Sequence, residues 1–339
     1  MKVLITSPFH PDSIEKLREN GLDVVYESWM EVNKLYVGEQ LVEKINQDQI
    51  DILVIEADVL NELVFEKTKG KLKYVAACRA NPTNVDIEAA TKVGVPVSNS
   101  PGRGGPSVAE LAIGIMICLM RHLHRSDHVV KSKKWTEQLT WATTYRGITF
   151  ENKVVGIVSL GAVGYEVAKR LQNWDCKIIV YDPYVSEEKL KSVNASRVDL
   201  PILMRESDIV TVHAPVLDET KGMITEELIG MMKKTAFFIN TSRTAIINEK
   251  AVVKAVKEER IAGAGFDVYY KEPLGRTNYF KEFFFGGPHA DKNVVFGAHI
   301  GGMTWDSIKT QSEIVTRDIL AFMKGEKPPN LLNLEVWNK

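Results

Sequence analysis

Four residues between positions 243 and 299 have side chains and settings suited to chemistry. Arg243 follows Asn240-Thr241-Ser242 directly after an apolar run. A guanidinium there is a permanent cation with a two-pronged donor face matched to a carboxylate, although arginines so placed also commonly form structural ion pairs. Asp267 closes the run Gly263-Ala264-Gly265-Phe266 and could accept from a carboxamide or cap a turn. Glu272 lies in Lys271-Glu272-Pro273-Leu274, and His299 in Ala298-His299-Ile300-Gly301-Gly302. Histidine gives and takes protons near neutral pH, and a carboxylate partner orients its ring and favours its charged form. Alone, such a histidine is more often structural. Together, an anion clamp and an acid–base pair describe proton transfer on a small anionic compound.

These residues need a scaffold, and the scaffold begins at Val154-Val155-Gly156-Ile157-Val158. That run reads as a strand buried on both faces. Gly161, Ala162, Val163 and Gly164 follow as a tight turn, and Val163, Val167, Ala168 and Leu171 line one side of a helix. A second apolar run, Ile178 to Tyr181, ends in Asp182, eighteen residues after Gly164. Strand, glycine turn, helix, strand and acid is the layout of a dinucleotide-binding unit. Backbone amides and the helix N-terminus receive the pyrophosphate. Asp182 accepts from the ribose hydroxyls and repels a 2′-phosphate, which favours NAD over NADP. The bland alternative is an ordinary crossover with two glycines. Ser159 stands where the first fingerprint glycine is expected, and a serine is expected to fit there only with negative φ.

The chain has 339 residues, 45% hydrophobic and 26% charged, enough for two globular domains without metal or disulfide support. Its net charge of −1 gives no reason to expect nucleic acid or an anionic membrane as a partner. Cys78, Cys118 and Cys176 form neither a close pair nor a metal spacing, so no metal is expected and a reducing, cytoplasmic setting fits. No signal-like apolar segment opens the chain, and the run Leu111 to Met120 is too short to span a bilayer.

Strands are expected at Val3–Ile5, Val24–Tyr26, Ile52–Ile55 and Tyr74–Ala77, alternating with helices, which argues for a parallel wound sheet. Asp12 or Ser13 is expected to cap the first helix. Glycine and proline between Ser98 and Pro106 mark a connection, followed by a long helix from Ser107 to Arg121. Residues 126–135 continue helically, with a solvated basic run at Lys131 to Lys134, and 136–152 read as a crossover loop. Buried strands follow at Ile209–His213, Ala236–Asn240 and Ala262–Asp267. A last helix is expected from Trp305 to Met323, and an apolar tail, Leu331 to Val336, to pack back on the first domain. The fold class is α/β, with two doubly wound parallel sheets.

Along nearly its whole length the sequence resembles the D-isomer-specific 2-hydroxyacid dehydrogenases. The matching stretches are Asn84-Val85-Asp86, Gly94-Val95-Pro96-Val97, Ser107 to Leu111, Lys134-Trp135, the glycine turn, Val212-His213-Ala214-Pro215 with Thr220, Asn240 to Arg243, Asp267-Val268, Glu272-Pro273-Leu274 and His299 to Gly302. Their order and spacing are specific. The resemblance implies a flavodoxin-like substrate domain, 1–103 with 302–339, and an inserted Rossmann-like NAD-binding domain, 104–301, joined by hinge helices. It implies a homodimer built on the helix near Ser107. It assigns catalysis to Arg243, Glu272 and His299: Arg243 holds the carboxylate and polarises the 2-keto group, His299 exchanges the proton while NADH supplies hydride to C2, and Glu272 pairs with the imidazole. Cofactor contacts fall to His213, Pro215, Thr220, Thr241 and Asp267 beside the glycine turn and Asp182. Arg79, Ala80 and Asn81 fall in the substrate loop.

Several positions depart from the family pattern. Thr244 replaces a glycine after Arg243, and Ala298 a proline before His299. The segment 275–293 is long and aromatic, and its Pro288-His289 rivals the proline–histidine pair, but only His299 follows an apolar strand and precedes a double glycine. The substrate loop reads Cys78-Arg79-Ala80-Asn81-Pro82-Thr83 rather than glycine-rich. Arg79 or Arg103 could meet a substrate phosphate, as in 3-phosphoglycerate, or pair with a nearby acid. The expected function is therefore an NAD-dependent D-2-hydroxyacid dehydrogenase, with a glyoxylate or hydroxypyruvate reductase as the alternative. An NAD-sensing, corepressor-like binding protein is the alternative of another class.

Overall fold

The computed structural model describes residues 1–273, 278, 280–284 and 286–337. Leu274 and the aromatic Phe285 therefore lie outside the described residues. The chain divides into two compact units, Met1–Arg103 with Met303–Lys339, and Gly104–Gly302.

The first unit contains β1 (Lys2–Ile5), β2 (Asp23–Tyr26), β3 (Ile52–Ile55), β4 (Tyr74–Ala77) and β5 (Val97–Ser98), all parallel and ordered β2-β1-β3-β4-β5. This is the flavodoxin-like doubly wound order. β3 and β4 are apolar throughout, and β1 is apolar after Lys2, because alternate residues feed opposite cores. Leu4, Leu53, Ile55 and Val75 pack with Leu41, Ile45 and Phe65 on one face. Val3, Ile52, Val54 and Tyr74 pack with Leu17, Val315 and Ile319 on the other. The helix Trp305–Met323 closes that second face, with Phe322 stacked on Tyr74 at 4.6 Å between ring centroids. The tail returns to the sheet: Leu331 bridges Ser98, and Asn333 accepts the Val97 N–H at 2.8 Å. β5 is a fifth strand that periodicity missed, since two residues carry no period. The first helix, Pro11–Glu19, corrects the expected cap: His10, not Asp12 or Ser13, receives the first-turn amide, through Nδ1 to Asp12 N–H at 3.3 Å. Pro11, which has no N–H to satisfy, occupies the first helical position.

The second unit holds β6 (Val154–Val158), β7 (Lys177–Tyr181), β8 (Ala195–Arg197), β9 (Ile209–Val212), β10 (Phe237–Asn240), β11 (Gly263–Phe266) and β12 (Val294–Phe296). All pairings are parallel, in the order β12-β11-β10-β9-β6-β7-β8. Read from β8, this is the Rossmann order with a seventh strand, and its reversal point lies between β6 and β9. The helix Gly105–Met120 lies close on the sheet, where a Cβ on Gly265 would come within 2.2 Å of Ile115 Cγ2. It ends at Arg121, and the next helix, Leu123–Lys131, departs at 66° after His122 at φ 53°. Two expectations are corrected here. The second helix starts earlier and stops short of Trp135, and the expected crossover loop contains a helix, Gln138–Thr144, beside which Trp141 stacks on Tyr145. Among the described residues no single helix is long and apolar enough to cross a membrane.

Candidate active site

Because all seven strands of the second unit are parallel, their C-terminal ends share one edge. Six consecutive strands deliver a candidate residue there: β12 leads to His299, β11 to Asp267 and Glu272, β10 to Thr241 and Arg243, β9 to His213, β6 to the glycine turn, and β7 to Asp182. In open α/β sheets this edge borders the ligand crevice.

His299 and Glu272 meet directly, with Nδ1 2.6 Å from Oε2. A carboxylate can only accept, so Nδ1–H donates to it and the other ring nitrogen is left for a substrate. Both ends of the pair are held. The Tyr269 N–H donates to the second Glu272 oxygen at 2.8 Å, and the Tyr269 hydroxyl donates to the carbonyl of Gly297. His299 sits at φ 56°, in the left-handed region, where the loop around it must be pinned. Asp267 pins it: its two oxygens accept the Ile300 N–H at 3.0 Å and the Gly301 N–H at 2.8 Å. A Cβ at Gly297 would stand 2.2 Å from that carboxylate. Of the two roles considered for Asp267, the structure displays the turn-holding one, in a side chain only 1% exposed.

Arg243 is exposed, and its guanidinium donates to the carbonyl of Ser242 at 2.7 Å. No carboxylate pairs with it among the described residues. Its backbone is fixed by buried Asn240, which accepts the Ser242 N–H at 3.0 Å and donates to the Arg243 carbonyl at 3.3 Å. Thr244, in place of the glycine, begins a 3-10 turn, Thr244–Ile246, and does not require positive φ. His289 lies apart from this pair, 3.6 Å from Glu282.

The glycine turn departs from expectation. Ser159 has φ 73°, not the negative value a serine prefers. The turn is forced by the helix Ala162–Leu171, whose Gly164 lies so close that a Cβ would be 2.1 Å from the Ser159 carbonyl oxygen. Gly161 is the N-cap, and no side chain caps the first turn. Asp182 is surrounded by donors: Ser159 Oγ at 3.2 Å and Leu160 N–H at 2.8 Å on Oδ2, Tyr184 N–H at 2.9 Å and Val185 N–H at 3.1 Å on Oδ1. Farther along the edge, burial holds the His213 imidazole down to about 3, so it is neutral. Its Nε2 meets Thr211 Oγ1 at 2.9 Å, while Nδ1 and the buried Thr241 Oγ1 have no partner among the described residues. Buried polar atoms without partners are costly. Their position beside an uncapped helix start and an acid fits a dinucleotide. Thr220 is absorbed by its own loop, its hydroxyl donating to the Pro215 carbonyl at 2.6 Å.

In the first unit, Arg79, Ala80 and Asn81 follow β4. The Arg79 guanidinium donates to the Asn84 side-chain oxygen at 3.5 Å and has no acid partner among the described residues. Arg103 differs: it pairs with Glu56 at 3.0 Å and with Gln311. Sequence reasoning missed Asn240, Tyr269 and Glu249. The last of these is 7% exposed, has one oxygen without a partner among the described residues, and accepts the Tyr270 N–H. A glutamate opening a helix gave no signal of burial.

Known proteins resemble the chain over nearly its whole length. A family model described as the NAD-binding domain of D-isomer specific 2-hydroxyacid dehydrogenases matches residues 113–301. A glyoxylate reductase of Thermococcus litoralis is 34% identical over 328 residues, covering 95% of this chain and 96% of that protein. A D-3-phosphoglycerate dehydrogenase of Archaeoglobus fulgidus is 31% identical over 98% of this chain, which spans 59% of that longer protein. Among solved structures, apo D-lactate dehydrogenase from Escherichia coli aligns with a TM-score of 0.78 and 26% identity, over 98% of this chain and 100% of the other.

Proposed function

This chain belongs to the D-isomer-specific 2-hydroxyacid dehydrogenase family, and from that premise we propose that Arg243, Glu272 and His299 carry out its NAD-dependent oxidoreduction of a 2-hydroxy acid. NAD(H), when bound along the edge from Asp182 to Thr241, supplies or accepts the hydride at C2 of the acid. The residues do the rest. Arg243 binds the substrate carboxylate and polarises the 2-keto oxygen, since its guanidinium has no carboxylate of its own among the described residues. His299 donates a proton to the oxygen that becomes the hydroxyl, and Glu272 holds the ring and balances its charge. In oxidation the same imidazole accepts the proton. The observation that carries this reading is the His299–Glu272 contact at 2.6 Å, on the same strand-end edge as Arg243.

The substrate reading rests on the first unit. Arg79 is a cation without an acid partner among the described residues, which favours a 2-keto acid bearing a second anionic group, such as phosphohydroxypyruvate. Arg103 is already paired with Glu56 and is a poor second phosphate ligand. A second reading is reduction of glyoxylate or hydroxypyruvate, favoured by the end-to-end similarity to the Thermococcus glyoxylate reductase. NADH oxidation across glyoxylate, hydroxypyruvate, phosphohydroxypyruvate and pyruvate separates the two. Preference for the phosphorylated acid, lost in Arg79→Ala, supports the first; indifference to Arg79 supports the second. No turnover with any 2-keto acid refutes both. The exposed apolar side chains Leu123, Val130, Trp135 and Leu139 support a homodimer, which light scattering tests directly.

A further inference from the structure

We propose that Ser159 sets the affinity of the nucleotide site, because its hydroxyl occupies an acceptor position on Asp182 that the adenosine ribose diol would take. This rests on the reading of Asp182 as the ribose acceptor. A carboxylate offers about four lone-pair positions. On Asp182 four donors reach them: Leu160, Tyr184 and Val185 through backbone N–H groups, and Ser159 through Oγ. The three amides belong to the turns that shape the site and cannot leave without unfolding them. The serine hydroxyl is the longest of the contacts to Oδ2, at 3.2 Å, and swings away by rotation about one side-chain bond.

Residue 159 is not a serine for the sake of the turn. Its φ of 73° is disfavoured for any residue with a Cβ, and glycine would serve better. The turn is imposed by the approach of Gly164 to the Ser159 carbonyl. What serine adds over glycine is therefore the hydroxyl, and the hydroxyl points at the acid. Two incoming ribose hydroxyls must share a carboxylate that is already saturated, and Ser159 is the donor that yields. The result is a weaker hold on NAD(H) than an unencumbered acid would give, while the negative charge that opposes a 2′-phosphate stays in place.

The test separates the hydroxyl from the backbone. Ser159→Ala removes the hydroxyl and keeps the strained φ; Ser159→Gly removes both. NADH binding is followed by fluorescence titration, and ADP and 2′,3′-dideoxy-ADP by displacement of NADH. Both variants are expected to bind NADH and ADP about three- to tenfold more tightly, the scale of one competing hydrogen bond. Neither should change the affinity for dideoxy-ADP, which has no diol to compete. Tightening in the glycine variant alone would assign the effect to the turn backbone and overturn the proposal. So would unchanged or weaker NADH binding in both variants, or an equal gain with dideoxy-ADP. A wild-type chain that binds no NADH overturns the nucleotide reading itself, a different failure from wild-type binding that the serine does not modulate.

Discussion

Glu249 makes the stability of the second unit depend on pH in a direction opposite to that of a paired carboxylate. It is the first residue of the helix Glu249–Lys257, it is 7% exposed, and one of its oxygens has no partner among the described residues. Burial pushes its carboxyl from 4.5 up to about 7, while the Tyr270 N–H works weakly the other way. Between those values the folded chain holds a proton that the unfolded chain has released. Stability therefore falls as pH rises from about 4.5 to about 7 and is flat above. A displacement of that size corresponds to on the order of 3 kcal/mol at pH 8 and under about 1 kcal/mol at pH 5, as upper values. Glu249→Gln keeps the shape and an oxygen for the Tyr270 amide but never ionises. Urea unfolding of both proteins at pH 5 and pH 8 reads the difference, and the other titrating groups cancel in the comparison. The variant should exceed the wild type by about 1–3 kcal/mol at pH 8, with the gap mostly closed at pH 5. A gap that is constant with pH, or that widens on acidification, would refute the argument that Glu249 is buried without compensation.

The other expectations concern the site. His299→Gln should lower kcat by roughly 10²–10⁴, the usual contribution of a positioned acid–base group, with Glu272→Gln losing less and NADH binding retained in both; steady-state kinetics and fluorescence titration check this. Arg243→Lys should raise KM and lower kcat together, because an ammonium cannot make the two-pronged contact. Arg79→Ala should raise KM for phosphohydroxypyruvate roughly tenfold or more while leaving glyoxylate unchanged, if a charge-assisted bond is lost; equal effects on both acids would sink the phosphate reading. Gly297→Ala should cost about 1–3 kcal/mol by overpacking and depress kcat as well. Its Cβ would sit 2.2 Å from the carboxylate that holds the Ile300 and Gly301 amides, so a variant with normal kcat would count against Asp267 as the anchor of His299.

The wound sheets were legible because β3 and β4 are short, uninterrupted apolar runs, and β6 and β9 are broken only by Gly156 and Thr211. The polar residue closing each run marked the functional edge without any knowledge of strand order. What escaped detection has physical reasons. β5 and β8 are too short to carry a period, and β8 is half-exposed. The helix Gln138–Thr144 is hidden by threonines and tryptophan, which are weak helix formers. Ser159 was visible as a substitution, but its φ was not, because that angle is set by Gly164 five residues later. Burial of Glu249 was invisible for a similar reason: a glutamate in a first helical turn is ordinarily solvated and favourable there.

Asp182 and Asp267 show how this edge divides its labour. The sequence presents Asp182 as a ribose contact and leaves Asp267 as either a carboxamide contact or a turn cap, and in the structure each gathers backbone amides from the loop it closes. A carboxylate that accepts from several N–H groups fixes loops that would otherwise be free. Asp267 in this way holds His299 at a disfavoured φ against Glu272. The atoms left over among the described residues are of another kind: a neutral His213 Nδ1, the Thr241 hydroxyl, an Arg243 guanidinium without an acid, and the second nitrogen of His299. An unpaired buried polar atom costs roughly 1–3 kcal/mol. Of these, His213 Nδ1 and Thr241 Oγ1 are buried and would gain a partner from a ligand at this edge, whereas Arg243 and His299 are exposed and open to a substrate. The map of what is satisfied and what is not therefore separates the residues that build this site from the residues that meet its ligands.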